Sequence, residues 1–133
     1  MAQVTVLDAD VLADYLNRAG AWRLVGDHLR ARTAATTAIA AFEVWAGLRS
    51  ERGRAAFGAV LAAMRRRVFP IDALVAREAG AIWSELEDRG ARIGPGDCLT
   101  AAVCVVRRLP ILTANWAHLE RIPALQTRII RAR

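Results

Sequence analysis

The chain has 133 residues, a length that suits one domain burying roughly two-thirds of the surface of its unfolded form. Hydrophobic residues make up 55%, which excludes a disordered chain, and the longest apolar runs (Ala38 to Phe42, Ala101 to Val106) are too short to span a bilayer. The net charge is +6 and all 19 basic residues are arginine, so polyanionic partners are favoured, while chemistry that needs a lysine (a Walker-type phosphate loop, a Schiff base) is excluded.

The opening Met1-Ala2-Gln3-Val4 has no basic region ahead of an apolar stretch. No signal peptide is evident, and a cytoplasmic location is expected. Val4 to Leu7 is β-branched and ends at Asp8, which predicts a buried strand. Val11 to Asn17 turns helical with Asp10 as its N-cap, and Gly20 ends that segment. Ala21 to Arg32 predicts a second helix with Trp22, Val25 and Leu29 on one face. Thr33 to Thr37 suits a short strand, and Thr37 suits a cap for the apolar segment Ala38 to Leu48, whose one charged residue is Glu43. Gly53 to Arg66 is amphipathic, with Phe57, Val60, Leu61 and Met64 at helical spacing. Arg67 to Ile71 reads as a strand weakened by Pro70, and Leu74 to Asp88 as a helix stopped by Gly90. Pro95-Gly96-Asp97 opens a helix running to Arg108, Pro110 leads into a strand over Ile111 to Thr113, and Thr127 to Ile130 suits a final strand. Strands alternating with helices predict a parallel sheet covered on both faces, with a binding site off the carboxyl ends of the strands. Asp8 and Asn115, both just past predicted strands, fall at that edge.

The acidic residues each have an ordinary structural reading. Asp8 suits a turn or cap, Asp97 a cap after Pro95-Gly96, and Glu43 the one polar stripe of its helix. Glu43 nevertheless has few polar companions among Ile39, Ala40, Phe42, Val44 and Trp45; if buried, its carboxylate needs a cation partner. Were the three acids to converge to about 5 Å, each pair would repel by roughly 3 kcal/mol at an effective dielectric of about 20. Either a divalent cation or a proton on one carboxyl must then compensate. Carboxylates with no histidine or cysteine beside them suit a hard ion, magnesium or manganese rather than zinc. Cys98 and Cys104 share an apolar helical pattern and match no zinc spacing; His28 and His118 are too far apart for a zinc pair, and His118 reads as a surface or structural residue.

Four segments in order resemble the motifs of PIN domains. Val6-Leu7-Asp8-Ala9-Asp10-Val11-Leu12 is similar to the opening motif, and Phe42-Glu43-Val44-Trp45-Ala46-Gly47 to the second acidic motif. Gly90-Ala91-Arg92-Ile93-Gly94-Pro95-Gly96-Asp97-Cys98-Leu99-Thr100-Ala101-Ala102 is similar to the third, and Leu112-Thr113-Ala114-Asn115-Trp116-Ala117-His118-Leu119-Glu120-Arg121-Ile122-Pro123 to the closing Thr-x-Asn/Asp segment of VapC-type toxins. The resemblance spans nearly the whole chain. It implies a single three-layer α/β/α sandwich with a central parallel sheet, and a magnesium- or manganese-dependent endoribonuclease of a toxin–antitoxin pair. It also implies a VapB-like antitoxin partner, no membrane association, and a homodimer formed through helical surfaces. On it, Asp8, Glu43 and Asp97 are the catalytic, metal-binding acids. Asn115 stands where many members carry an aspartate, which leaves one-metal and two-metal chemistry both open. Asp10 replaces the usual small hydroxyl or amide residue; it reads as a cap, the other reading being that it replaces some of the charge missing at Asn115.

Arg65-Arg66-Arg67 and the tail Arg128, Arg131 and Arg133 are candidate grips for RNA, and Trp116 a candidate contact for RNA or antitoxin. Thr37, Thr113 and Asn115 are candidates to orient the ligands. Two other classes stay open. A phosphoacceptor signalling domain also gathers acids around magnesium but normally needs a lysine. A catalytically silent PIN-like module that binds RNA or protein is the other.

Overall fold

A computed structural model describes residues 3–132; Met1, Ala2 and Arg133, the last a candidate RNA contact, lie outside them. The described chain runs β1 (Thr5–Leu7), α1 (Ala9–Asn17), α2 (Trp22–Ala31), β2 (Ala34–Thr37), α3 (Ala38–Gly47), α4 (Glu51–Met64), β3 (Val68–Phe69), α5 (Ala73–Asp88), α6 (Pro95–Arg107), β4 (Ile111–Thr113), α7 (Trp116–Leu119), a 3₁₀ turn (Pro123–Leu125) and β5 (Ile129–Arg131). The strands form one parallel sheet in the order β3-β2-β1-β4-β5. The chain builds outward from β1 through β2 to β3, then returns to place β4 on the other flank of β1. The switch in strand order therefore falls between β1 and β4, the place where open α/β sheets bind ligands.

Helices cover both faces, as a parallel sheet requires. Alternate strand residues feed two cores. Val6 and Ile111 face one layer, with Val75, Ile82 and Leu86 of α5 and Val103 of α6. Leu7 and Leu112 face the other, with Val11 and Leu12 of α1, Val25 of α2, and Phe57, Val60 and Met64 of α4. The result is a three-layer α/β/α sandwich with a central parallel sheet. Among the described residues no helix is long and apolar enough to cross a membrane.

Local chemistry sets the boundaries. Thr37 accepts the Ala40 N–H at 3.0 Å and caps α3; Ser50 caps α4 through Gly53 N–H, and Asp72 caps α5 through Val75 N–H. Pro95 occupies the first turn of α6, where its missing N–H costs nothing. Gly90, at φ 63°, follows the α5 cap in the left-handed region that glycine enters freely. Cys98 and Cys104 are buried free thiols, as expected of small core residues.

Several boundaries differ from expectation. The α1 helix starts at Ala9 with Asp8 as its N-cap, so Asp10 lies inside the first turn, where its side chain accepts the Val11 N–H, and is not the N-cap. The third strand shrinks to Val68–Phe69 because Pro70 has no N–H for the ladder. The α7 helix and the 3₁₀ turn were not anticipated; at four and three residues they are too short to carry a periodic signal.

Phe57 is fully buried and meets the Trp45 ring edge-on at a centroid distance of 4.9 Å. Phe57→Ala is expected to destabilise the chain by roughly 3–5 kcal/mol in chemical denaturation, the cost of a large unfilled core site.

Candidate active site

The β1–β4 register places Leu7 beside Leu112, and so Asp8 beside Thr113 at the carboxyl end of the sheet. Asp8 is only 5% exposed. One oxygen accepts the Ala9 N–H at 2.8 Å and the other accepts the Thr113 hydroxyl at 2.9 Å. The Thr113 oxygen in turn accepts the Asn115 N–H at 2.9 Å, which fixes the turn leaving β4. Asp10 grips the same turn from α1. Its Oδ2 accepts the Ala114 N–H at 3.1 Å, while Oδ1 accepts the Val11 N–H at 2.7 Å. Asp10 is thus a brace between α1 and the β4–α7 turn, where the sequence suggested a helix cap.

Asp97 sits in the first turn of α6, whose N-cap is Gly94, so it too does other work than capping. Its Oδ2 accepts the Asn115 side-chain N–H at 3.0 Å. His118, one turn along α7, places Nδ1 3.0 Å from Asn115 Nδ2 and 3.6 Å from Asp97 Oδ2. The sequence reading left His118 out of the site; its i, i+3 spacing from Asn115 is the signal that would have found it. Glu43 is exposed, not buried among its apolar neighbours. It projects from α3 toward the start of α6, where a Cβ built on Gly96 would stand 3.0 Å from Glu43 Oε2. Glycine at 96 leaves the room this carboxylate occupies.

Asp8, Asp10, Glu43, Asp97 and Asn115, with Ala9, line one open cavity of about 290 Å³. Three acids named from sequence, together with Asp10 and Asn115, thus share a single space. They do not close into a tight cage: among the described residues no three histidine, cysteine or acidic side chains stand as a preformed metal cluster. Thr37 is turned elsewhere, capping α3 and meeting the Thr100 hydroxyl at 3.0 Å. Trp116 is covered by the Arg131 guanidinium, 3.8 Å from its ring centroid, and Arg131 also pairs with Glu120 at 3.2 Å.

The electrostatics follow from the geometry. Burial, reinforced by the Asp10 charge and opposed by the Thr113 hydrogen bond, pushes the Asp8 pKa up to about 7. Burial also raises Asp10, against the backbone hydrogen bonds from Val11 and Ala114. Partial burial raises Glu43, with Asp97 and Asp10 adding repulsion. The donor set is oxygen throughout, the chemistry of hard divalent cations.

Asp8 gives a pH dependence of known sign. The folded chain keeps its proton up to about pH 7, while the unfolded chain releases it near the ordinary value of 3.8. The folded state therefore binds more protons between these values, and stability falls as pH rises through that window. In metal-free buffer, Asp8→Asn is expected to remove the Asp8 share of this fall and to leave the smaller share from Asp10 and Glu43, which are raised in the same direction. It should leave stability unchanged below about pH 4 and raise it at pH 8 by up to about 4 kcal/mol, read as the difference between the two urea-melt profiles.

The PIN domain family model matches residues 5–125. No curated protein matches the chain. Among solved structures, the chain is similar to DNA-bound VapBC from Salmonella typhimurium, with TM-score 0.82 and 24% identity over 99% of this chain and 100% of that one. VapBC2 from Rickettsia felis, bound to a promoter DNA fragment, gives TM-score 0.78 and 19% identity over 96% and 97%. VapBC-5 from Mycobacterium tuberculosis gives 27% identity with TM-score 0.58 over 74% and 81%. The family match covers most of the chain, the superpositions give the same fold, and the chain belongs to the PIN domain family.

Proposed function

We propose that this chain is a metal-dependent endoribonuclease, the toxin of a toxin–antitoxin pair. The observation that supports it most is the shared cavity of Asp8, Asp10, Glu43 and Asp97 at the switch in strand order. Four carboxylates facing one space are stable only with protons or cations among them. The raised pKa of Asp8 reflects the same constraint. Oxygen donors favour magnesium or manganese, with Asp8, Glu43, Asp97 and the Asn115 amide oxygen as the groups that would hold the ion. Bound there, such an ion supplies Lewis-acid charge and lowers the pKa of water.

The side chains divide the remaining work. Thr113 fixes Asp8, and Asn115 fixes Asp97, so two ligands are oriented before substrate arrives. Glu43 makes no hydrogen bond among the described residues and stands exposed at the cavity mouth. With its pKa raised, it is the carboxylate placed to take the proton of the attacking water. Asn115 spends an N–H on Asp97, which leaves its carbonyl oxygen as a neutral ligand and supports a one-metal site. The toxin assignment rests on likeness to the VapBC structures, and on that basis the partner is a VapB-like antitoxin; the homodimer and the cytoplasmic location belong to the same proposal and rest on the sequence reading alone. The acids of the site count against a catalytically silent binding module.

Purified chain is expected to cleave RNA with magnesium or manganese and to stop with chelator. Asp8→Asn, Glu43→Gln and Asp97→Asn should each lower the rate at least about a hundredfold. Undiminished cleavage by Asp8→Asn overturns the mechanism, and tight RNA binding without cleavage by the unaltered chain favours the silent module. Manganese should raise Tm more at pH 8 than at pH 5, where Asp8 holds its proton, and Asp8→Asn should lose most of that shift. Gly96→Ala should keep or slightly raise Tm, since alanine is the better helix residue by up to about 1 kcal/mol. It should nonetheless slow cleavage, because the new methyl takes the space of the Glu43 carboxylate.

A further inference from the structure

Of the arginines that the sequence suggested for gripping RNA, Arg131 ends β5 beside Thr113 at the strand-exit edge, whereas Arg65, Arg66 and Arg67 are not beside the acids. Arg32 ends α2 and leads into β2, and Arg65, Arg66 and Arg67 lead from α4 into β3. These are entries to strands, whereas the acids stand at strand exits. Arg32, Arg65, Arg66 and Arg67, with Ala63 and Met64, line a separate cavity of about 380 Å³. Register and strand rise put Arg32 roughly 15 Å from Asp8.

Every charged group lining this pocket is a cation. Among the described residues no carboxylate pairs with any of its four arginines; Arg30, Arg92 and Arg131 take the carboxylate partners. The Arg67 guanidinium donates to the Arg32 carbonyl and ties the two loops together. One cation at each helix end would complement the dipoles of α2 and α4. Four exceed that need, and Arg65 and Arg66 are exposed with no partner among the described residues. The guanidinium fork matches phosphate oxygens bidentately.

The catalytic cavity supplies the reason for such a site. Four carboxylates there face a polyanionic substrate, and one divalent ion offsets only part of their charge. Attraction for the substrate must come from elsewhere on the chain. We infer that the Arg32, Arg65, Arg66 and Arg67 pocket is an RNA backbone-binding exosite, which holds the phosphates of a folded or extended substrate while a distant segment lies at the acids. The inference rests on the endoribonuclease reading. It narrows the substrate class to RNA long enough to span both places, and excludes short oligonucleotides from full affinity.

The test uses Arg32→Gln/Arg66→Gln, two exposed positions outside the cores. In an Asp8→Asn background, fluorescence anisotropy should show binding of a stem-loop RNA weakened by about 10- to 100-fold at about 0.1 M salt, with the slope of log K against log salt reduced by about 2. In the active chain, the double variant should raise KM for the stem-loop and leave kcat, and the cleavage of a trinucleotide too short to span both sites, unchanged. Unaltered stem-loop affinity and salt slope overturn the exosite, as does a loss confined to duplex DNA. Equal loss of trinucleotide and stem-loop cleavage also overturns it, because the arginines would then act at the acids. Failure of the unaltered chain to cleave either RNA sinks the nuclease reading instead, and the anisotropy arm reports on the pocket independently.

Discussion

A carboxylate lies where two adjacent parallel strands end, almost out of water, with one hydroxyl and one backbone N–H as its partners. That contact between Asp8 and Thr113 joins residues from opposite ends of the chain. It can form only if β4 lies directly beside β1 in the observed register, because a one-residue slip would turn Thr113 to the other face. The return of the chain across the sheet is therefore what assembles the site. Everything else in the cavity hangs from that pairing. Asp10 binds the turn after Thr113, Asn115 is fixed by the Thr113 oxygen, and Asp97 is held by Asn115.

The arrangement trades stability for readiness. A buried carboxylate with so few donors is held near neutrality by desolvation, and the neighbouring Asp10 charge adds to the penalty. An apolar or amide residue at position 8 would fit the fold with less cost. Keeping the acid makes sense only if a cation or a transferred proton uses it, since strain of this kind concentrates where function needs it. Glu43 shows the complementary solution. Left exposed and untied, it costs little and can move, and the missing side chain at Gly96 gives it the space to do so.

Much of this could be read in the sequence because the decisive signals are local. Asp8 ends a β-branched run, Thr37 is a capping hydroxyl ahead of an apolar helix, and Pro95-Gly96 opens α6 with Asp97 in its first turn. Each is a short-range rule, and the order of the elements then dictates a parallel sheet. What escaped depends on contacts across the chain. Asp10 looked like a cap because its bonds to Ala114 and Thr113 span more than a hundred residues. His118 looked peripheral because α7 is a single turn. The apolar sequence around Glu43 suggested burial, but the helix presents that side to the cavity mouth. The arginine cluster was visible as a charge run, while its end of the sheet was not, since that is fixed by strand direction alone.

Strand direction also separates the charges of the whole domain. In a parallel sheet every strand exit lies on one edge and every entry on the other, so loops at the two edges can carry opposite charge without meeting. Helix polarity reinforces the division. The α1 and α3 helices directly follow strands and begin at the exit edge, so their partial positive ends lie on the side of the acids, while α2, α4 and α6 lead directly into strands and end with their partial negative ends at the entry edge. Asp97 in the first turn of α6 and Arg107 in its last show both effects on one helix. Arg32 and Arg108 adopt left-handed backbone at φ 58° and 56° just where α2 and α6 end, positions glycine usually takes. The strain of a side chain there is of order 1 kcal/mol, and it places a guanidinium at the entry edge. The domain thus carries its clustered acids at one edge and its cluster of arginines without carboxylate partners at the other, and the proposed nuclease and exosite readings both rest on that separation of charge.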